Sequence, residues 1–203
     1  MTNSEPEFPW PRAMLWLTLL GAMFIYGYQY TNALAAEQPQ VWRLGGAWDQ
    51  RVPFIAWTLL PYLSINLIFP CAFFAFESKR ALDRFARRLF VAQMVCFACF
   101  YFFPTGASRT PPTPEGALGV FYAQLRAFEQ PFNMVPSLHV VALVVLWASV
   151  RPALPAVARW PWHAWCALVL VSTLTTWQHD LIDVVAGLVV GTACLLIGRP
   201  RGA

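Results

Sequence analysis

Six long apolar runs divide this chain, at residues 13–35, 53–76, 89–103, 136–150, 162–177 and 181–198. Between them lies too little polar sequence to clothe a water-soluble globule. Charged residues make up 12 % and hydrophobic residues 58 % of the chain, where soluble domains carry about 25 % charged. In hydrocarbon every backbone N–H and C=O must be paired within the protein, which restricts apolar runs of this kind to helices. The expectation is an all-α, polytopic membrane protein, a six-helix transmembrane bundle forming one membrane-embedded domain over residues 1–203. Several runs are shorter than the ~20 residues a crossing needs, so their ends should extend into flanking polar sequence. The first run is too long for the apolar part of a cleaved signal, has only Arg12 as a basic start and offers no small-residue cleavage site, so it reads as a permanent anchor. No internal repeat or low-complexity segment suggests a second domain.

The net charge of +4 does not form the stripe that a nucleic-acid partner would require. Five of the fourteen basic residues, Lys79, Arg80, Arg84, Arg87 and Arg88, are packed into residues 77–88 between two apolar runs. Six crossings put both termini on one side. Ten basic residues then fall on that side and four on the other: Arg43, Arg51, Arg109 and Arg126. Positive residues stay cytoplasmic, so the termini are expected inside, and residues 36–52, 104–135 and the turn near Gln178 outside. The cysteines at 71, 96, 99, 166 and 194 all lie in apolar runs and read as buried thiols. Cys96 and Cys99 form a CxxC, but no second ligand pair stands nearby, and no metal site is expected.

Ionisable groups inside apolar helices cost about 2.5–3.5 kcal/mol each on insertion scales and need a reason. His179 and Asp183 are four apart and share a helix face, the carboxylate about 6 Å deeper. A carboxylate there can accept an imidazole N–H and leave the other ring nitrogen as a directed nucleophile or base; the competing reading is a helix-capping His–Asp pair at the interface. Pro136, Ser137 and His139 open the fourth run, where free N–H groups and the helix dipole favour an anion. In the six-crossing topology both starts lie on the outer face, so His139 and His179 meet at one depth, while His163 falls on the cytoplasmic side without chemistry. Arg109 is a candidate phosphate clamp and Arg126 the next; each also reads as a solvated loop arginine. Gly187 and Gly191 form a GxxxG that permits close packing within the bundle, and tryptophans near run ends suit an interfacial belt.

These residues resemble the type 2 phosphatidic acid phosphatase superfamily, with signatures KxxxxxxRP, PSGH and SRxxxxxHxxxD. Pro136, Ser137 and His139 match the second, and Ser172, His179 and Asp183 the third. Leu138 replaces the glycine, Thr173 the arginine and Phe102 the lysine, while Thr110 separates Arg109 from Pro111. With Phe132-Asn133 before the second motif and residues 172–176 before Gln178-His179, the chain is similar to the inositol phosphorylceramide synthase-like branch. It is most similar to bacterial membrane proteins of that branch that often carry a C-terminal dual-specificity phosphatase domain, expected to be absent here.

The resemblance implies metal-independent phosphoryl transfer without a cofactor. His179 would attack phosphorus to give a phosphohistidine, Asp183 would orient it, and His139 would protonate the departing alkoxide. Arg109, with Ser137 and the helix-start N–H groups, would hold the phosphate oxygens, and Arg126 is the candidate replacement for the missing family cations. The expected substrate is a lipid phosphate or pyrophosphate; the loss of family cations points either to a less charged phosphodiester or pyrophosphate, or to Arg126 as the replacement cation. The substrate would be taken from the membrane lipids at the periplasmic leaflet of the bacterial cytoplasmic membrane. Water as acceptor makes the enzyme a lipid phosphatase; an alcohol acceptor makes it a lipid phosphotransferase. Two rivals stay open: a bis-histidine haem site, against which Asp183 and the phosphate-suited helix start speak, and a catalytically inert lipid-binding scaffold.

Overall fold

In the computed structural model, which describes residues 9–198, every apolar run becomes a helix. Arg199 and Arg201, counted above with the cytoplasmic cations, lie outside the described residues. The seven α-helices are α1 (Trp10–Ala36), α2 (Leu59–Ala72), α3 (Lys79–Phe102), α4 (Gly116–Phe128), α5 (Leu138–Val150), α6 (Ala156–Thr175) and α7 (Leu181–Cys194). Pro11 in the first turn of α1 costs no hydrogen bond, because N–H groups there have no intrahelical acceptor. Single 3₁₀ turns, Ala56–Thr58 and Arg151–Ala153, lead into α2 and out of α5.

The sequence expectation of six full crossings is corrected in length. By length and hydropathy together, only α3 among the described residues is a candidate membrane span; Ala56–Ala72, Leu138–Ala153 and Leu181–Cys194 are apolar but shorter. Proline accounts for part of the shortening. The run at 53–76 carries Pro53, Pro61 and Pro70, and its helix starts only at Leu59 and ends two residues after Pro70. Pro152 halts α5 at Val150 in the same way. The fourth helix of the chain, α4, was not anticipated: it lies inside residues 104–135, read from sequence as loop, and it buries only Tyr122 and Leu125.

At the centre stands α5, packed on α2, α3, α6 and α7. It buries Val141, Leu143, Val145 and Leu146 in one core with Phe73, Leu82, Phe85 and Leu89. Closest of all is its crossing with α7. A methyl group at Gly187 would lie 2.8 Å from Val140 Cβ and one at Gly191 2.8 Å from Val144 Cβ, so the GxxxG serves packing inside the bundle. Charge separates along the axis. The first turns of α3 carry its cations; Asp83 there takes the Arg12 guanidinium through two bonds of 2.5 and 2.7 Å and the Trp16 indole N–H at 2.9 Å. Arg88 donates to the carbonyls of Leu195 and Ile197, which the end of α7 leaves without helical partners. The starts of α2, α5 and α7 and the ends of α1, α3 and α6 gather at the opposite end.

Candidate active site

The turn from α6 into α7 sets the first histidine. The first helix closes with Thr176 N–H on Ser172 O, and Trp177 then takes φ 57°, a left-handed conformation that reverses the chain at a helix end. For a residue with so bulky a Cβ this conformation is strained. Three contacts hold it: the indole N–H donates to Val52 O at 3.0 Å, and the ring packs against Phe54 and under the Arg109 guanidinium. Beyond the turn, His179 N–H reaches back to Thr173 O at 3.0 Å.

Asp180 then caps α7. Its carboxylate and that of Asp183 form a reciprocal capping box, in which Asp183 Oδ2 accepts Asp180 N–H at 2.8 Å. The same Oδ2 lies 3.4 Å from His179 Nδ1, close enough for an ion pair but not aligned as a hydrogen bond, so the buried Nδ1 has no hydrogen-bond partner. Asp183 thus caps its helix together with Asp180, not with His179, and lies beside the imidazole without accepting the N–H bond expected from sequence.

His139 sits in the first turn of α5. Ser137 caps that helix, its hydroxyl accepting Val140 N–H at 3.3 Å, and its own N–H donates to Asp183 O at 3.1 Å, which ties the two helix starts together. His139 Nε2 donates to Tyr62 O at 3.1 Å, and its ring stacks on Tyr62 with centroids 4.1 Å apart. That bond fixes the proton on Nε2 of the neutral ring and leaves Nδ1 with the lone pair. The Tyr62 hydroxyl in turn donates to Glu129 Oε2 at 2.9 Å.

Both imidazoles line one cavity of about 620 Å³. Its walls are apolar faces of α1 and α2, with Phe121, Leu125 and Phe128 of α4 on one side. Glu129, Asn133 and Gln124 are further polar groups on it. Burial pushes the Glu129 carboxyl above the usual carboxylate range, an effect opposed by the Tyr62 hydroxyl and by His179.

The remaining residues singled out from sequence lie elsewhere. Ser137 is fully buried as a helix cap, while Arg109 and Arg126 are not among the lining residues. Arg109 donates to Asp180 Oδ1 at 3.0 Å, Asp49 O at 2.8 Å and His179 O at 2.9 Å. Its place is behind the turn that carries His179. Arg126 is exposed on α4 and ties back to Pro111 O and to Thr113 Oγ1.

Sequence reasoning passed over four groups. Asp180 and Asp49 brace the start of α7, Asp49 Oδ1 taking Leu181 N–H at 2.8 Å. Tyr62 and Glu129 join the histidine wall. Their one signal in sequence is polarity in an apolar setting, a tyrosine within the second run and a glutamate directly after Phe128.

A family model described as the PAP2 superfamily matches residues 42–197. The chain belongs to the PAP2 superfamily. No curated protein and no solved structure matches it. Superfamily membership supports an enzyme of the phosphatase or phosphotransferase type; it does not extend to the inositol phosphorylceramide synthase-like branch. The matched region holds every residue of the histidine site and leaves out α1, although Leu17, Gly21, Phe24, Ile25 and Tyr28 on one face of that helix wall the cavity of this PAP2 protein.

Proposed function

We propose that this PAP2 protein is a membrane lipid phosphatase that works through a phosphohistidine on His179. One observation carries the reading: an imidazole in the first turn of α5 and another in the turn that leads into α7 line a single, largely apolar cavity, and the second is backed by a buried carboxylate. His179 attacks phosphorus through Nε2 while Asp183 stabilises the positive charge that develops on the ring. His139, oriented by the Tyr62 carbonyl, delivers a proton from Nδ1 to the departing lipid alkoxide, which requires that the ring enter the cycle protonated. Water then attacks the phosphohistidine, gives its proton to His139 and releases His179. An alcohol in place of that water makes the same site a phosphotransferase, the activity of the inositol phosphorylceramide synthase-like branch. No step needs a metal ion.

A bilayer location is supported by the surface. Leu15, Leu19 and Ile25 on α1, Phe90, Met94 and Phe102 on α3, and Ile182, Val185 and Val189 on α7 are all exposed, where water would select polar side chains. Apolar faces of α1, which packs on α3, and of α2, which packs on α5 and α6, both wall the cavity, and a lipid arriving sideways between them would meet apolar surface. Basic residues gather at the end remote from the histidines, and under the positive-inside rule that end is cytoplasmic and the site periplasmic. The test is turnover of a panel of lipid phosphates in EDTA, with purified protein and with right-side-out membrane vesicles given substrate from outside. Activity is expected to survive chelation, to appear in both preparations and to vanish in His179→Ala. A requirement for added metal, or activity remaining without His179, would overturn the mechanism. Activity confined to inside-out vesicles would overturn the orientation.

A further inference from the structure

Taking the two-histidine site as the phosphoryl-transfer site, the ligand's charge can be read from the wall around it. Among the described residues no lysine or arginine lines the cavity, and the one carboxylic acid that does is Glu129. A phosphomonoester dianion held between the histidines would face this carboxyl group with no lysine or arginine on the wall, and only a protonated His139 to offset its charge. A second group points the same way. Asn133, also on the wall, donates from Nδ2 to Tyr28 O at 3.0 Å and to Thr31 Oγ1 at 2.9 Å, which fixes the orientation of its amide. Its Oδ1 is buried without a partner, an acceptor awaiting a donor. Tyr28 and Phe128, with rings 6.5 Å apart, supply aromatic faces that attract a cation.

We infer that the cavity selects a zwitterionic lipid phosphodiester, in which an ammonium group on the headgroup meets Glu129 and Asn133 Oδ1 while its singly charged phosphate sits between the histidines. The ammonium supplies a positive charge beyond that of His139, where no lysine or arginine on the wall provides one. In the balanced reaction, His179 Nε2 forms the N–P bond as the P–O bond to diacylglycerol breaks, and the alkoxide takes its proton from His139 Nδ1. Water or an alcohol then attacks phosphorus, loses its proton to His139 and breaks the N–P bond. The products are diacylglycerol and a phosphorylated amino alcohol, free or transferred.

The experiment compares dihexanoyl phosphatidylethanolamine, phosphatidylglycerol and phosphatidic acid, which share their tails and differ in headgroup charge. Both kcat/KM for the native enzyme and the Kd for the unreactive His179→Ala protein are measured. The native enzyme is expected to favour phosphatidylethanolamine by at least tenfold over either anionic lipid, and Glu129→Gln to reduce that ratio by about tenfold. Native preference for phosphatidic acid or phosphatidylglycerol overturns the inference without any variant having to fold. A preference for the amine that survives in folded Glu129→Gln overturns the role of Glu129. Should none of the lipids turn over, the enzymatic reading fails by itself. The Kd values still decide selectivity: at least tenfold tighter binding of the ethanolamine lipid upholds it, and equal binding rejects it.

Discussion

Arg109 uses Nε, Nη1 and Nη2 each on a protein acceptor, and its side chain is only 4 % exposed. A guanidinium so placed neutralises Asp180, which caps α7, and holds the carbonyl of His179 itself. Removing one member of a buried pair strands the other's charge, at a cost of about 3–5 kcal/mol. Arg109→Met is therefore expected to lower the thermal unfolding midpoint sharply, and Arg109→Met with Asp180→Leu to recover much of the loss. A single variant that keeps its midpoint and raises KM for lipid phosphate would return Arg109 to the role of phosphate clamp expected from sequence. The difference lies in range. His179 and Asp183 are one helical turn apart, so their approach is written in local geometry, whereas Arg109 and Asp180 are 71 residues apart and their pairing exists only once loop and helix have met. The pairing of Tyr62 with Glu129, 67 residues apart, was illegible for the same reason.

At the level of helices, what brings the two histidines together is the α5–α7 crossing. Ser137 opens α5 by donating to Asp183 O, and the two helices then run in close contact past Gly187 and Gly191. A methyl group at Gly191 also comes to 3.2 Å from Val141 O, so a larger residue must push backbones apart. Overpacking of this sort costs about 1–3 kcal/mol. Gly191→Val and Gly187→Ala are both expected to lower the unfolding midpoint. At matched loss of stability Gly187→Ala should lose more activity, because it lies one turn nearer the histidines. Equal activity losses would separate the crossing from the geometry of the site. The six helices of the apolar runs were legible because hydrophobicity dominates them. The amphipathic α4 was not, since its buried stripe is two residues wide and it follows a proline-rich stretch at 104–114.

Over the whole molecule, helix lengths and the cavity fit one another. About 40 Å of helix in α1 and about 36 Å in α3 outreach the roughly 20 Å of α5 and α7, so helices long enough to cross ~30 Å of hydrocarbon stand beside short ones that begin at the histidines. The reactive groups are thereby recessed below the ends of the longer helices. The proposed lipid substrate would reach them along the wall to which α1 and α2 contribute, and the family match, beginning after α1, leaves part of that wall to a helix outside the matched region. Gly21 tests this. It lines the cavity on α1, seven residues or about 10 Å along the helix from Tyr28, and a Cβ there meets nothing within 4 Å. Gly21→Trp therefore seats its Cβ without a clash, improves helix propensity and directs an indole toward the space where an acyl chain would lie. The expected outcome is at least a tenfold fall in kcat/KM for dioleoyl substrates and a much smaller fall for dihexanoyl ones, whose tails end short of the obstruction. Equal losses with both chain lengths would mean that the lipid enters by another route, and that α1 walls the site without contacting the substrate's tail.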